Sequence, residues 1–206
     1  MANRLLPFRQ YDDNDVVNMY ALVDAAVNES TTGVGTGDAG VFVKVSAGNF
    51  DLDPVSYSSD SYLGKTDYPY VGVNQYPKVN LKVTPAASGD LTNCLGITLR
   101  QTAKTDENGE KLLYYRQKAE ELMCVLPGQA VPVATRGIFS LSANAIDGVL
   151  TVGSGFKLSA NGGKVTGCAH SDAGKLGLVL GTGSRTSLTS VTDAYAGNFA
   201  VIGLRM

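Results

Sequence analysis

Three glycines in TTGVGTGDAGVFVKV, namely Gly35, Gly37 and Gly40, have the spacing G-x-G-x-x-G, with which dinucleotide-binding domains bring backbone close to a pyrophosphate. That chemistry needs a strand to deliver the glycines to a helix N-terminus, whose free amides and dipole face the phosphates. Here the order is reversed: local patterning predicts a helix before Gly33 and a strand, Val41 to Val45, after Gly40. No second parallel strand offers an acidic partner for a ribose. The stretch therefore reads as a mobile loop that lets the flanking segments orient independently, and no cofactor is expected.

The single histidine, His170, stands in GCAHSDAGKLG beside Cys168, Ser171 and Asp172. A nucleophile and its base are assembled by tertiary geometry, and residues two apart on a strand share a face without being aimed at each other. Between Gly167 and Gly174 the segment reads as a turn carrying a solvated imidazole, so no catalytic residue is assigned. One His with one Cys falls short of the four ligands of a closed zinc site. Asp51 and Asp53 in NFDLDP begin like a calcium loop, but Pro54-Val55-Ser56 supplies neither the glycine nor the bidentate glutamate of an EF-hand. Asp60, Asp67, Asp106 and Glu107 are scattered, and Glu120 and Glu121 would leave a helix on different sides, so no metal site or shared-proton dyad is expected. Cys94, Cys124 and Cys168 are too widely spaced for a disulfide framework and read as reduced, mostly buried thiols.

The tyrosines carry more information. Tyr57, Tyr62, Tyr68, Tyr70 and Tyr76 crowd into SYSSDSYLGKTDYPYVGVNQYP, whose Gly and Pro exclude a continuous helix. Such rings serve interfaces, because each offers large area at low entropic cost while its hydroxyl stays satisfied at a wet rim. A sugar-binding platform and simple packing of the loop on its own domain compete with that reading.

The elements that would position these groups differ along the chain. Asp12, Asp13 and Asn14 are candidate N-caps, and Val16, Tyr20, Val23 and Val27 at spacings of three and four predict a short helix through about Asn28. LLPFRQY ahead of it should be extended, because Pro7 disfavours helix at Leu6. From Val41 to Leu126 the segments VFVKV, KVNLKVTP and LTNCLGITLRQT alternate as strands, and a helical turn is expected around Gln117 to Met123 after a strand on KLLYY. The glycine-rich last 80 residues hold AVPVATRGIFSL, GVLTV, FKLS, LGLVL and FAVIGLRM between turns at Asp147-Gly148 and Asn161-Gly162. Three regions follow: 1–40, an N-terminal arm, short helix and Gly-rich loop; 41–126, a β-rich middle with the Tyr-rich loop; and 127–206, a C-terminal β-barrel. The fold class is mainly β, a small β-barrel or sandwich.

With 206 residues, 44% of them hydrophobic, the chain can bury one large core or two small ones. Lys and Arg total 17 against 19 Asp and Glu, and no basic run could neutralise a row of phosphates, which argues against direct nucleic-acid binding. MANRLLPFRQYDDNDVV lacks the apolar core of a signal peptide. No stretch reaches the roughly 18 uninterrupted apolar residues of a membrane helix, so folding in a cytoplasm and no membrane partner are expected.

The opening MANRLLPFRQYDDNDVVNMYAL, the segment GEKLLYYRQKAEELMCVLPGQAVPVATRGIFSL and the glycine-rich terminal strands resemble capsid decoration (cement) proteins of tailed bacteriophages. The resemblance covers about two-thirds of the chain, leaves the loop-rich part from Ser46 to Asp90 unplaced, and has no catalytic signature. It implies a non-enzymatic structural protein on the outer surface of the virion capsid, made in the cytoplasm of a host bacterium. Its barrel would be of the lambda decoration-protein type, and its arm, Leu5, Leu6, Pro7, Phe8, Arg9 and Tyr11, would reach onto neighbouring subunits of the major capsid protein. Such an arm would be disordered until docked. Neighbouring copies of the chain would be further partners, with a homotrimer at local threefold positions as the leading arrangement. A head-fibre or tail-associated module that binds host glycans through the tyrosines is the alternative reading, and another structural head or tail component is a further one.

Overall fold

Two bent antiparallel ribbons organise the chain. In the computed structural model, which describes residues 4–22, 37–46, 81–103, 106, 108, 110, 112, 114–126, 129–186 and 196–205, strand β1 (Leu5–Gln10) is followed by β2 (Val16–Leu22). The barrel continues through β3 (Phe42–Val45), β4 (Lys82–Pro85) and β5 (Cys94–Thr98). A short parallel pair, β6 (Gln101–Thr102) and β7 (Cys124–Val125), brackets the helix α1 (Arg116–Glu121). Then come β8 (Ala130–Ala134), β9 (Arg136–Ser142), β10 (Gly155–Leu158), β11 (Val165–Cys168), β12 (Gly177–Arg185) and β13 (Gly197–Arg205). The strands form a closed barrel, β2-β4-β3-β5-β8, and a six-stranded antiparallel sheet, β1-β9-β13-β12-β10-β11.

The mainly β class is observed, but the barrel is elsewhere than expected. It is built from residues between Val16 and Ala134, and the strands of 136–205 join β1 in the sheet instead. Nor do the boundaries at 40 and 126 coincide with the layers, since β1 pairs with β9 and β2 with β8. Both ribbons cross from one layer to the other at the same level. There the Asp15 carbonyl accepts from the Thr135 amide (2.9 Å) and the Thr135 hydroxyl (3.0 Å).

The predicted N-terminal helix is replaced by a 3-10 turn and a strand. Asp12 does act as a cap, its carboxylate accepting from the Asn14 amide at 2.8 Å, but the turn it caps spans only Asp13–Asp15. In β2 the pairing runs Val17 to Val133 and then Tyr20 to Val131, three residues against two. This bulge inserts one residue into the period-two alternation. The helical spacing of four from Val16 to Tyr20 is therefore coincidental, since the bulge leaves Val16 packing on the core shared with the sheet and Tyr20 on the barrel. Val23 and Val27 lie outside the described residues. The expected strand on KLLYY is also absent among its described residues, Leu112 and Tyr114 being in a turn, whereas α1 falls close to where a helical turn was expected.

Alternation in VFVKV shows how the layers join. Val41 and Val43 fill the barrel with Leu22, Val83, Val131 and Val133, while Phe42 faces the other way into the core shared with the sheet. There Phe42 meets Phe156 edge-on, with ring centroids 6.2 Å apart, among Ile97, Phe139, Leu141 and Ile202. Barrel closure also depends on Gly96. Its φ is +151°, and a Cβ there would stand 2.1 Å from the Ala134 carbonyl oxygen. Gly96→Ala should cost about 1–3 kcal/mol through forced backbone movement. Gly89→Ala, with nothing within 4 Å of the added carbon, should change stability by less than about 0.5 kcal/mol. Urea unfolding of both variants by circular dichroism checks the contrast.

Candidate functional site

Of the residues with chemical potential, most are occupied inside the fold. Gly37 and Gly40 lie in a turn leading into β3, whose backbone is tied down: Thr102 N donates to Gly37 O (2.7 Å), Gly40 N to Thr98 O (2.7 Å) and Val41 N to the Thr98 hydroxyl (3.1 Å). Gly40 has φ +90°, and a Cβ on it would sit 2.9 Å from the Leu5 amide. This end of the glycine run is a close crossing under β1, which corrects the picture of a freely moving loop. Gly35 lies outside the described residues.

His170 is exposed in the turn after β11. The Asp172 carboxylate is taken by Lys157 Nζ (2.7 Å) and the Gly174 amide (2.8 Å). Cys94, Cys124 and Cys168 are thiols, Cys124 buried and the other two half-buried. Burial pushes the Cys94 thiol up to about 11 and raises Cys168 as well, so neither is a ready thiolate. Tyr57, Tyr62, Tyr68, Tyr70 and Tyr76, with Asp51, Asp53, Asp60, Asp67 and Glu107, lie outside the described residues. Among the described residues, no group of three or more His, Cys, Asp or Glu is placed to hold a metal ion. No described helix is long and apolar enough to cross a membrane.

The six arm residues are brought together, but not as a free arm. Leu5 and Tyr11 pack against the shared core, Tyr11 stacking on Phe139 at 6.0 Å between centroids. The physical reason is that β1 finds a partner within its own chain, in β9, and is pinned at its start by Arg4, whose carbonyl accepts from the Ser142 amide at 2.9 Å. Pro7 fits an edge strand, where a missing N–H breaks no ladder. Between the Leu5–Leu141 and Arg9–Phe139 pairs, β1 advances four residues while β9 advances two. The two surplus residues arch out of the sheet edge at Leu6-Pro7-Phe8. Phe8 is left 82% exposed, the largest exposure among the aromatic side chains described.

That ring does not stand alone. Gln10 pairs with Ile138 on the outer face of the sheet, and alternation places Phe8 on the same side. Across the next strands lie Ile138 (39% exposed), the half-buried Val201, and Leu180 (41% exposed). Leu180 is itself the surplus residue of a bulge between Val179 and Gly181, and it leans over Gly203, where a Cβ would be 3.5 Å from its Cδ1. Phe8, Ile138, Val201 and Leu180 thus occupy β1, β9, β13 and β12, four neighbouring strands. Three inter-strand spacings make this stripe about 14 Å wide. Sequence reasoning missed Ile138 and Leu180; the alternation in RGIFSLS and the surplus residue in LGLVLG are the signals they leave.

On the opposite side of β1 lies a groove of 460 Å³, walled by Arg4–Pro7, Arg9, the Asp38-Ala39 turn, Leu99–Gln101 and the end of α1 at Glu121–Met123. Met123 closes the helix with φ +49°, a left-handed conformation usually left to glycine, its amide donating to Glu120 O at 2.9 Å. The groove wall is steadied from below by Asp106. Its buried carboxylate accepts from the amides of Asn108 (2.9 Å) and Glu110 (2.7 Å) and pairs with Lys118 on α1.

The chain matches no protein-family model, no curated protein and no solved structure, so its site is read from geometry alone.

The Lys118 hydrogen bond holds the Asp106 carboxyl below its usual range, helped by the two amides and opposed by burial. A depressed folded value means that this support is fully present above the unfolded carboxylate value of about 3.9. It is lost as pH falls through the lower folded value. The protection factors of the α1 amides, hydrogen exchange being corrected for its intrinsic pH dependence, should therefore fall as the protein is acidified below about pH 4, ahead of those of the barrel amides. Asp106→Asn should show that lower protection already at neutral pH.

Proposed function

We propose that the chain is a non-enzymatic structural protein that binds the outer surface of a phage capsid and stabilises it by bridging neighbouring coat subunits. Support comes from the resemblance of its opening and middle segments to cement proteins and, above all, from one observation: an aromatic ring 82% exposed on a bulged edge strand. An isolated exposed apolar side chain is ordinary, but one lifted out by two surplus backbone residues and continued by Ile138 and Leu180 has the layout of an interface anchor. Covering a phenylalanine contributes roughly 1.5–3 kcal/mol.

Because β1 is already paired, docking does not cost the roughly 1–2 kcal/mol per residue of ordering a free arm. Each copy then acts as a rigid clip. A coat subunit can leave only by breaking the clip's contacts too, and several copies on one lattice multiply that resistance.

Sedimentation with purified mature heads tests the reading. The unaltered protein should co-sediment saturably in shell-wide copy number. Phe8→Ala should weaken binding about 10- to 100-fold, the equivalent of the transfer energy above, with unchanged unfolding. Full-strength binding by Phe8→Asp, or saturable binding to host cells with none to heads, would sink the proposal; the latter outcome favours the host-glycan module.

A further inference from the structure

We infer that the groove behind β1 is a receptor for a carboxylate-bearing apolar peptide segment of the coat subunit. This rests on the capsid-binding reading for the identity of the partner, whereas the chemistry of the groove is independent of it. Its walls are mixed in a particular way. Leu5, Leu6, Pro7, Leu99, Leu122 and Met123 supply apolar surface, and three arginines face two carboxylates, Asp38 and Glu121.

Two of those arginines are under-compensated. Arg4 is only 1% exposed, and a buried cation is costly unless it is paired and its N–H groups are satisfied. Its contact with Asp38 is long, 3.6 Å from Nε, its bond to Gly163 O is 3.4 Å, and its Nε–H has no hydrogen-bond partner. Arg9, half-buried at the groove, donates to Leu99 O at 3.4 Å, and no carboxylate among the described residues pairs with it. Arg100, by contrast, is already paired with Glu120 at 3.4 Å. A guanidinium offers five N–H donors in a fork that matches a carboxylate, and among the described residues Arg9 meets only the Leu99 carbonyl.

The apolar walls select among anions. A free inorganic anion would leave Leu6, Pro7, Leu122 and Met123 wet, while an Asp or Glu flanked by a large apolar side chain satisfies cation and wall together. The place also suits a bridging role. The groove and Phe8 lie on opposite sides of the same strand, so one coat segment engaged on each side would grip β1 between them.

The test uses the whole protein and the probe acetyl-Leu-Asp-Leu-amide, followed by NMR at the Met123 methyl and the Arg4 and Arg9 Nε–H resonances. Saturable shifts at these groups are expected. Acetyl-Leu-Asn-Leu-amide and inorganic phosphate should bind at least tenfold more weakly. Arg9→Gln should weaken the Asp peptide about tenfold with an otherwise native spectrum, and Arg9→Lys should recover part of the loss. Equal binding of the Asn peptide, tighter binding of phosphate, or indifference to Arg9→Gln overturns the inference. None of these outcomes bears on head binding. Failure of the unaltered protein to bind heads, with the peptide still captured, would overturn the partner while leaving the receptor chemistry standing.

Discussion

The pairing of residues 5–22 with residues 130–142 is the constraint on which the rest depends. Each ribbon supplies one strand to the sheet and one to the barrel, and the two change layer side by side where the Asp15 carbonyl takes both donors of Thr135. Once these ribbons are paired, the barrel must lie against the sheet, which is why Phe42 and Ile97 from one layer share a core with Phe139, Phe156 and Ile202 from the other. The N-terminal strand is therefore part of the body. A contact surface built on it inherits the body's rigidity.

Surplus residues within that regular frame produce the features that look outward. Two extra residues in β1 lift Phe8, and one in β12 turns Leu180 onto the outer face. A bulge bends its strand and re-aims a side chain without dissolving the sheet. The same arching leaves the groove between β1 and α1 on the other side, roofed by a helix whose last turn is held by Met123 in a left-handed conformation. Backbone held in a sparsely populated conformation costs free energy and persists where its surroundings require it. On the proposed function both sides of β1 meet coat protein, an apolar stripe on one and a cation-lined groove on the other.

How much of this is legible in the sequence follows from what is local. Alternation in VFVKV, CLGIT and RGIFSLS marks β3, β5 and β9, and RQKAEE marks α1, because each signal is complete within a few residues. Asp12 is legible as a cap, but not the length of what it caps. The bulge in β2 is not legible: Val16 and Tyr20 have the four-residue spacing of one helix face, and only the register with β8 shows that Val16 packs on the shared core and Tyr20 on the barrel. Likewise LLPFRQY reads as extended without revealing that β9, some 130 residues later, completes it. Phe8 lies within the residues expected to make contact, but Leu5 and Tyr11 beside it turn inward. The groove combines residues from four distant segments, so no local spacing betrays it.

The central claim is that β1 is a preformed strand, so that on the proposed function it would meet the shell without first having to fold. Hydrogen exchange by mass spectrometry, with the protein free and bound to mature heads, reads this directly. The account predicts that the peptide covering Leu5 to Tyr11 is protected in the free protein to the same order as its partner β9. On heads, the added protection should be confined to the Leu6 to Phe8 arch, the Leu180 bulge and the groove walls at Leu99 to Gln101 and Glu121 to Met123. Exchange of that peptide at the rate of an unstructured chain in the free protein, with protection gained along its whole length on heads, would contradict the account and restore a disordered arm.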